Sequence, residues 1–416
     1  MKTVYIDSQN EINYKIEEFL KPQLIYIPLE NNKLLIENGD YVCKGDIVAL
    51  ENETNFPVHS SVSGNVTNIV SKFDLDGNQS DYIVIENDFK EKYKNKLGYS
   101  KAFSKYSKDD FVKLLFNMGI KGLSGSNNKT YKKYINEKIK CLIVNGVECE
   151  PSLCCDKSIM YNYSEELLEC VDSILEIMQI PKAIIVVKEA NQKSISNIKK
   201  SIGSYPNITL AYVSDSYPIG WDRCLIENVF GLKYKKDPSE IGIIVNSVST
   251  IYAIYETLKF RKPLIERVIT ISGDGIKKSV NVKVKIGSNL NEIISQICQY
   301  KDKKDLLFIV NGLMSGISLP TDEVIVSSNL NSVVVMQKKF IKSQECINCG
   351  RCVELCPVKL YPSIIFKNID NSKMLKKLNV KSCINCGLCS YVCPSKIELS
   401  EYLKIAKKKV DDRNEV

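Results

Sequence analysis

Near the C-terminus the chain carries two copies of one cysteine pattern: Cys346, Cys349, Cys352 and Cys356-Pro357, then Cys383, Cys386, Cys389 and Cys393-Pro394. The spacing C-x2-C-x2-C-x3-C-P is the one with which thiolates hold the irons of a [4Fe–4S] cluster, so two copies predict two clusters. In two-cluster units of this kind the fourth cysteine of each run ligates the other cluster. That crossover assigns Cys346, Cys349, Cys352 and Cys393 to one cluster, and Cys383, Cys386, Cys389 and Cys356 to its partner. Two adjacent clusters make an electron relay. A zinc site closes at four ligands and usually shows two C-x2-4-C pairs, which this pattern does not. Disulfides would need an oxidising compartment, and residues 1–19 contain no apolar stretch that could direct secretion.

A second group of reactive residue types lies upstream, in Asn145-Gly-Val-Glu148-Cys149-Glu150-Pro-Ser-Leu-Cys154-Cys155-Asp156. Vicinal thiols at the start of a helix can have a lowered pKa and exchange as a redox pair, so Cys149, Cys154 and Cys155 are candidate redox thiols. Two small buried side chains are the plainer reading. The lone histidine, His59, has no Asp, Glu or Cys constellation near it in sequence and is read as structural.

The elements that must position these groups change character along the chain. Up to about residue 95, short β-like runs at 24–28, 33–36, 41–49, 58–70 and 82–85 are broken by turns at Gly39-Asp40, Lys44-Gly45-Asp46 and Ser63-Gly64-Asn65. From about residue 100, apolar strands at 141–145, 183–187, 209–213 and 241–246 alternate with helices at 164–178, 191–202, 221–229 and 250–258. Such alternation predicts βαβ units around a parallel sheet, with ligands beyond the carboxyl ends of the strands. The strand 141–145 runs straight into the Glu- and Cys-rich segment. Residues 266–337 return to strands at 268–272, 280–286, 306–310 and 333–336, with one helix near 290–298. The stretch 357–382 between the two cysteine runs is long enough for helices of its own.

With 416 residues the chain is long enough for about three domains with sizeable cores. Its 44% hydrophobic and 25% charged content is ordinary for a globular protein. The net charge of +8 is spread through Lys-rich faces such as 301–304 and 407–409 without the stripe or recognition context of a nucleic-acid binder. Docking to an acidic electron carrier or a membrane surface is the alternative use of that charge. No stretch approaches ~18 consecutive apolar residues, so no transmembrane segment is expected. The expected setting is a reducing cytoplasm, with peripheral contact at the cytoplasmic face of a membrane.

The phrase NGDYVCKGDIVA followed by PVHSSVSGNV resembles the barrel-sandwich hybrid domain of biotinyl and lipoyl carriers, but residues 51–56 offer no carrier lysine at the hairpin tip. Taken whole, the chain resembles the C subunit of the Rnf complex, the sodium- or proton-pumping ferredoxin:NAD oxidoreductase. Through its middle it is similar to the flavin-bearing 51 kDa subunit of respiratory complex I. The carriers are PVHSSVSGNV (57–66), IVNGVECEPSLCCD (143–156), YPIGWDR (217–223), RKPLIERVITISGD (261–274) and the two cysteine runs. The resemblance implies a multidomain α/β and α+β chain. Its modules would be a barrel-sandwich hybrid (1–97), a Rossmann-like FMN domain (98–262), a β-grasp module (263–337) and a helical two-[4Fe–4S] ferredoxin domain (338–416).

It also implies FMN held by Gly122, Gly125, Thr130, Asn145, Glu148, Glu150, Asn246 and Thr250, with NADH as the candidate donor. Where the family writes G-L-G-G-A-G-F-P-T, this chain has Gly122-Leu-Ser-Gly125-Ser-Asn-Asn128-Lys129-Thr130. The aromatic that would stack near a nicotinamide is Asn128, and the proline is Lys129, whose cation could hold a phosphate. This speaks against direct NADH oxidation more than against FMN. Among relatives the chain looks most like the divergent proline reductase-associated electron transfer proteins. The function so implied is electron transfer between a flavin site and two clusters, onward to a reductase such as D-proline reductase. The alternatives are the peripheral C subunit of the ion pump, or a flavin-free iron–sulfur scaffold. The partners implied are reductase subunits, membrane subunits of the pump or ferredoxin-like carriers, and no nucleic acid.

Overall fold

The computed structural model describes residues 12–94, 106–124, 128–136, 138–339 and 341–411. Its centre is a four-stranded parallel sheet in the order Ile208–Val213, Ala183–Lys188, Cys141–Asn145, Ile243–Ser247. The strands are runs of Ile, Val and Leu, as expected where both faces are covered. Alternation decides which helix each residue meets. Leu142, Val144, Ile185, Val187 and Ile244 pack with the helices Ser164–Met178 and Val248–Phe260. Their neighbours Ile143, Val186, Ile243 and Val245 pack with Leu225 and Ile226 of the helix Asp222–Phe230. The strand order reverses between Cys141–Asn145 and Ile243–Ser247, so a crevice is expected at the carboxyl ends of these two strands.

The N-terminal module is two small antiparallel sheets packed face to face. One contains Leu24–Pro28, Gln79–Asn87, Gly64–Phe73 and Tyr41–Val42; the other contains Asn32–Leu34, Ile47–Glu51 and Pro57–His59. The strand Ile16–Phe19, in the segment expected to belong here, instead pairs in parallel with Val280–Lys285. It thereby extends a six-stranded mixed sheet in the order 16–19, 280–285, 266–272, 332–337, 306–310, 317–319. A short helical segment at 290–298 packs on that sheet through Leu290, Ile293, Ile294 and Cys298, which gives the β-grasp arrangement. The last module is helical: Arg351–Glu354, Pro362–Lys367, Ser372–Lys377, Leu388–Tyr391 and Leu399–Asp411.

The first three modules are tied by a buried network of charges. Glu266 lies 2.5 Å from Lys262, 3.6 Å from Lys44 and from Lys285, and 3.7 Å from Lys283. Glu91 accepts from Lys285 at 2.8 Å and from Lys44, while Glu256 takes Lys262 and Lys283 at 2.9 Å each. Lys44 and Glu91 come from the N-terminal module, Glu256 and Lys262 from the end of the central one, and the rest from the β-grasp sheet. Burial alone would raise the Glu266 carboxyl, but Lys262, Lys283 and Lys285 outweigh it and hold it at about 2.

Because removing one member of a buried pair strands its partners, Glu266→Ala should cost about 3–5 kcal/mol in denaturant unfolding. The contribution of Glu266 should be present above about pH 4.5 and lost as the pH falls toward about 2. An unchanged acid-unfolding profile in Glu266→Gln would contradict this.

Candidate functional site

Both cysteine runs fold onto the same backbone template. Asn348 and Asn385, one residue before the second cysteine of each run, have φ of 57° and 54°. Gly350 and Gly387, one residue after it, have φ of 76° and 72°, and Lys359 and Lys396 follow at 57° and 55°. These left-handed residues curl each run so that its thiols face inward. Cys346, Cys349, Cys352 and Cys393 line one small cavity with Pro394, Ile397 and Leu399. In the other set, Cys389 lies within electrostatic reach of Cys386, Cys383 and Cys356.

Among the described residues no three ligating side chains gather as the shell of a single metal ion would. Thiols spread around a cavity suit a cube with one cysteine at each iron, so the donor set fits the clusters. The backbone amides of Leu360 and Asn385 point at Cys356 Sγ and Cys383 Sγ, at 3.2 and 3.4 Å, the kind of hydrogen bond that tunes a cluster's potential.

The two runs differ in what surrounds them. Cys349 is exposed and its neighbour Ile347 is 66% exposed, whereas Cys386 is buried. A side chain added at Gly350 would meet open space; at Gly387 it would lie 1.7 Å from the Met314 carbonyl oxygen. The second run sits against the central sheet, with Cys386 and Leu388 in one apolar cluster with Val147, Cys149, Tyr217 and Ile219. Trp221 Nε1 donates to the Ile384 carbonyl at 3.0 Å, and Tyr217 Oη donates to the Cys386 carbonyl.

At the carboxyl end of the sheet, Asn145 and Ser247 are register partners, and alternation puts Asn145 on the face of Ile143 and Val245 while Asn246 lies on the face of Val144 and Ile244. Asn145 Nδ2 donates to the Gly220 carbonyl and its Oδ1 accepts from Val147. Thr250 Oγ1 accepts from the Leu123 amide at 3.0 Å, which pins the glycine loop to the helix Val248–Phe260. Gly125 lies outside the described residues. Glu148 caps the helix Cys155–Asn162, accepting from the amides of Asp156 and Lys157 at 2.8 and 3.0 Å and from Cys155 Sγ at 3.2 Å. Glu150 turns away from this group to the loop at 312–315, where Met314 N, Ser315 N and Ser315 Oγ donate to it.

The thiols do not have the environment of a redox pair. Cys149, Cys154 and Cys155 are all buried, and the carboxylate of Glu148 already occupies the helix N-terminus that would have stabilised a thiolate. Burial, helped by Glu150, pushes the Cys149 thiol up to about 12; burial, helped by Glu148, pushes Cys154 up to about 11 and Cys155 well above the ordinary range.

The substituted loop finds its reason in the N-terminal module. Lys129 does not face a phosphate: it pairs with Glu51 at 2.5 Å, donates to Thr54 and lies 5.4 Å from the Phe56 ring centroid. Lys121 pairs with the same carboxylate at 2.7 Å. The hairpin tip where a carrier would hold its lysine is therefore clamped onto the glycine loop. Burial holds the His59 imidazole neutral, down to about 4, which suits a structural residue.

Sequence reasoning missed Lys133, hidden in a lysine-rich stretch. Its ammonium reaches the Val245 carbonyl at 2.5 Å and Asn246 Oδ1 at 3.2 Å, both neutral oxygens, and burial pushes its pKa down. Nearby in the chain, Thr130 is fully buried with its hydroxyl unpartnered. A half-buried cation that reaches neutral oxygens, with the carboxyls of Asp222 and Asp237 in electrostatic range, and an unpaired hydroxyl nearby in the chain fit the phosphate end of FMN.

Comparison with known proteins agrees with this geometry. Residues 7–90 match the RnfC barrel-sandwich hybrid domain, 115–256 the Nuo51 FMN-binding domain, and 339–399 the 4Fe-4S dicluster domain. The C subunit of the ion-translocating oxidoreductase complex of Buchnera aphidicola is 30% identical over 92% of this chain and 77% of its own length. The C subunit of the proton-translocating ferredoxin:NAD(+) oxidoreductase complex of Clostridium ljungdahlii is 27% identical over 85% of this chain and 80% of its own. A Haemophilus influenzae counterpart is 30% identical, but the chain spans only 62% of it. An NAD+-reducing [NiFe]-hydrogenase shares the fold with a TM-score of 0.54 at 14% identity, over 73% of this chain and 66% of the hydrogenase chain.

In the folded protein at about pH 8, Cys154 and Cys155 should alkylate about a hundredfold or more slower than free cysteine and become reactive on unfolding. Fast labelling of either in the native state, followed by mass spectrometry, would restore the redox-thiol reading.

Proposed function

The chain belongs to the family of C subunits of ion-translocating oxidoreductase (Rnf) complexes, and on that premise we propose that it relays electrons between an FMN site at the carboxyl end of its central sheet and a partner protein at the outer face of its cysteine-rich module. It is an electron-transfer subunit with an FMN-binding-type domain and a dicluster domain. The observation that carries the order of the relay is the asymmetry of the twin runs. The second is buried against the strand-end motif and the first lies open at Cys349 and Ile347.

In this reading Cys383, Cys386, Cys389 and Cys356 hold the inner cluster, and Cys346, Cys349, Cys352 and Cys393 the outer one. Thr130 and Lys133 hold the FMN phosphate, and Gly122, Asn145 and Asn246 shape the crevice around it. When bound, a flavin exchanges electron pairs with a two-electron partner and single electrons with clusters. The proposed module limits are those expected from the sequence, with the strand at 16–19 exchanged into the β-grasp sheet.

The donor and acceptor are proposals. The family favours the membrane subunits of an ion-pumping complex as partners, with peripheral attachment at the cytoplasmic face; no helix among the described residues is long and apolar enough to cross a membrane. A reductase such as D-proline reductase is the alternative acceptor in this reading. The loop position expected to stack near a nicotinamide is Asn128, so the donor that loads the relay need not be NADH.

Anaerobically purified full-length protein should contain about eight irons and one FMN per chain. Cys393→Ala should damage the cluster held by Cys346, Cys349 and Cys352 in the paramagnetic-resonance spectrum and spare its partner. Full iron content with no FMN, even after reconstitution, would favour the flavin-free scaffold. Bleaching of the flavin by NADH would identify NADH as a donor.

A further inference from the structure

Glu150 lies two residues from Glu148 in the strand-end motif, yet its contacts belong to a different structure. Its Oε2 accepts from the Met314 amide at 2.9 Å, and its Oε1 accepts from the Ser315 amide at 3.1 Å and from Ser315 Oγ at 2.6 Å. Gly312, at φ +104°, packs so closely that an added Cβ would lie 2.6 Å from the Glu150 carboxyl carbon. The loop held in this way presents the Met314 carbonyl to the backbone of Gly387, the residue after Cys386. From the other side Tyr217, 1% exposed, places its hydroxyl 3.2 Å from Glu150 Oε1 and donates to the Cys386 carbonyl. The contacts close into a ring: Glu150, the 312–315 loop, Gly387, Cys386, Tyr217 and back to Glu150. Trp221, four residues after Tyr217, adds its bond to Ile384.

We propose that Glu150 and Tyr217 are positioning residues: they form a latch that seats the second cysteine run on the central module and so sets the environment of the inner cluster and its separation from the flavin crevice. The inference rests on the relay reading above. Among the described residues the matching first run has no such seat, since none lies near Gly350 and its second cysteine is exposed, although its backbone follows the same template. The template therefore does not require the latch, and the contacts at Gly387 are specific to the run that faces the central sheet. A carboxylate is suited to the task because it can take several donors at once from one loop, here two amides and a hydroxyl. Hydrogen bonds on and around cluster-bearing loops shift cluster potentials, and small displacements alter transfer rates steeply.

The test uses full-length, cluster-loaded protein with Glu150→Ala and Tyr217→Phe. Both variants should retain wild-type iron and flavin. The inner cluster's paramagnetic-resonance line shape and midpoint potential should change while the outer cluster's signal stays as in the wild type, and flavin-to-cluster transfer should slow at least about tenfold. If Glu150→Ala loses FMN while the inner cluster's spectrum and potential are unchanged, Glu150 is a flavin contact and the latch is overturned. An unchanged inner cluster together with an unchanged transfer rate in both variants overturns it as well. Should Glu150→Ala fail to fold, Tyr217→Phe, which removes a single hydroxyl, decides the matter. A wild-type protein that binds no flavin would sink the relay reading instead, while the response of the inner cluster to Tyr217→Phe would still report on the latch.

Discussion

Four lysines and three glutamates that meet between the first three modules constrain everything else in this molecule. Lys285 is almost wholly removed from water, and each carboxylate in the group serves at least two ammonium groups drawn from different parts of the chain. Such a network is unforgiving of displacement, because shifting any module separates charges most of which have already lost their hydration. It holds the N-terminal module at a fixed angle to the central one. That in turn delivers the hairpin at 51–56 to the glycine loop, where Glu51 meets Lys121 and Lys129.

This placement accounts for the substituted glycine loop. A lysine where the family has proline would be a free cation in an isolated domain, but here it is the counter-charge for Glu51 and lies over Phe56. The module that looks like a carrier domain thus acts as a brace. On the other side of the central sheet the β-grasp module does the same for the cysteine-rich one, through the 312–315 loop. Both accessory modules bear on the crevice end of the sheet, so the chemistry is held by contacts from three directions.

Much of this was legible in the sequence. The strands at 141–145 and 306–310 and the helix at 164–178 fall where periodicity sets them, because long apolar runs with both faces covered leave little choice of element. The cysteine runs announce clusters because the ligand spacing is set by the cluster's own geometry. The strand at 16–19 was not legible, since IEEF has half its residues charged and becomes a strand only by pairing with a distant edge. The helix expected at 191–202 shrank to Ser196–Ser201, where Asn191 and Ser194 prefer local hydrogen bonds to a longer helix. Lys133 was invisible for a different reason: in a chain so rich in lysine, only burial distinguishes one that faces neutral oxygens.

The sequence alone determined the redox character of the protein, its module order and the end of the sheet at which to look, because each depends on residue type and spacing along a short stretch of chain. Only the tertiary structure decided how the members of the strand-end motif divide their work. Glu148 and Glu150 are indistinguishable in sequence, yet one caps a helix and the other reaches a loop more than 160 residues away. It also decided which of two near-identical cysteine runs is inner and which is outer. That distinction arises from what packs against Gly350 and Gly387, and packing between distant segments leaves no trace in the spacing of the residues themselves.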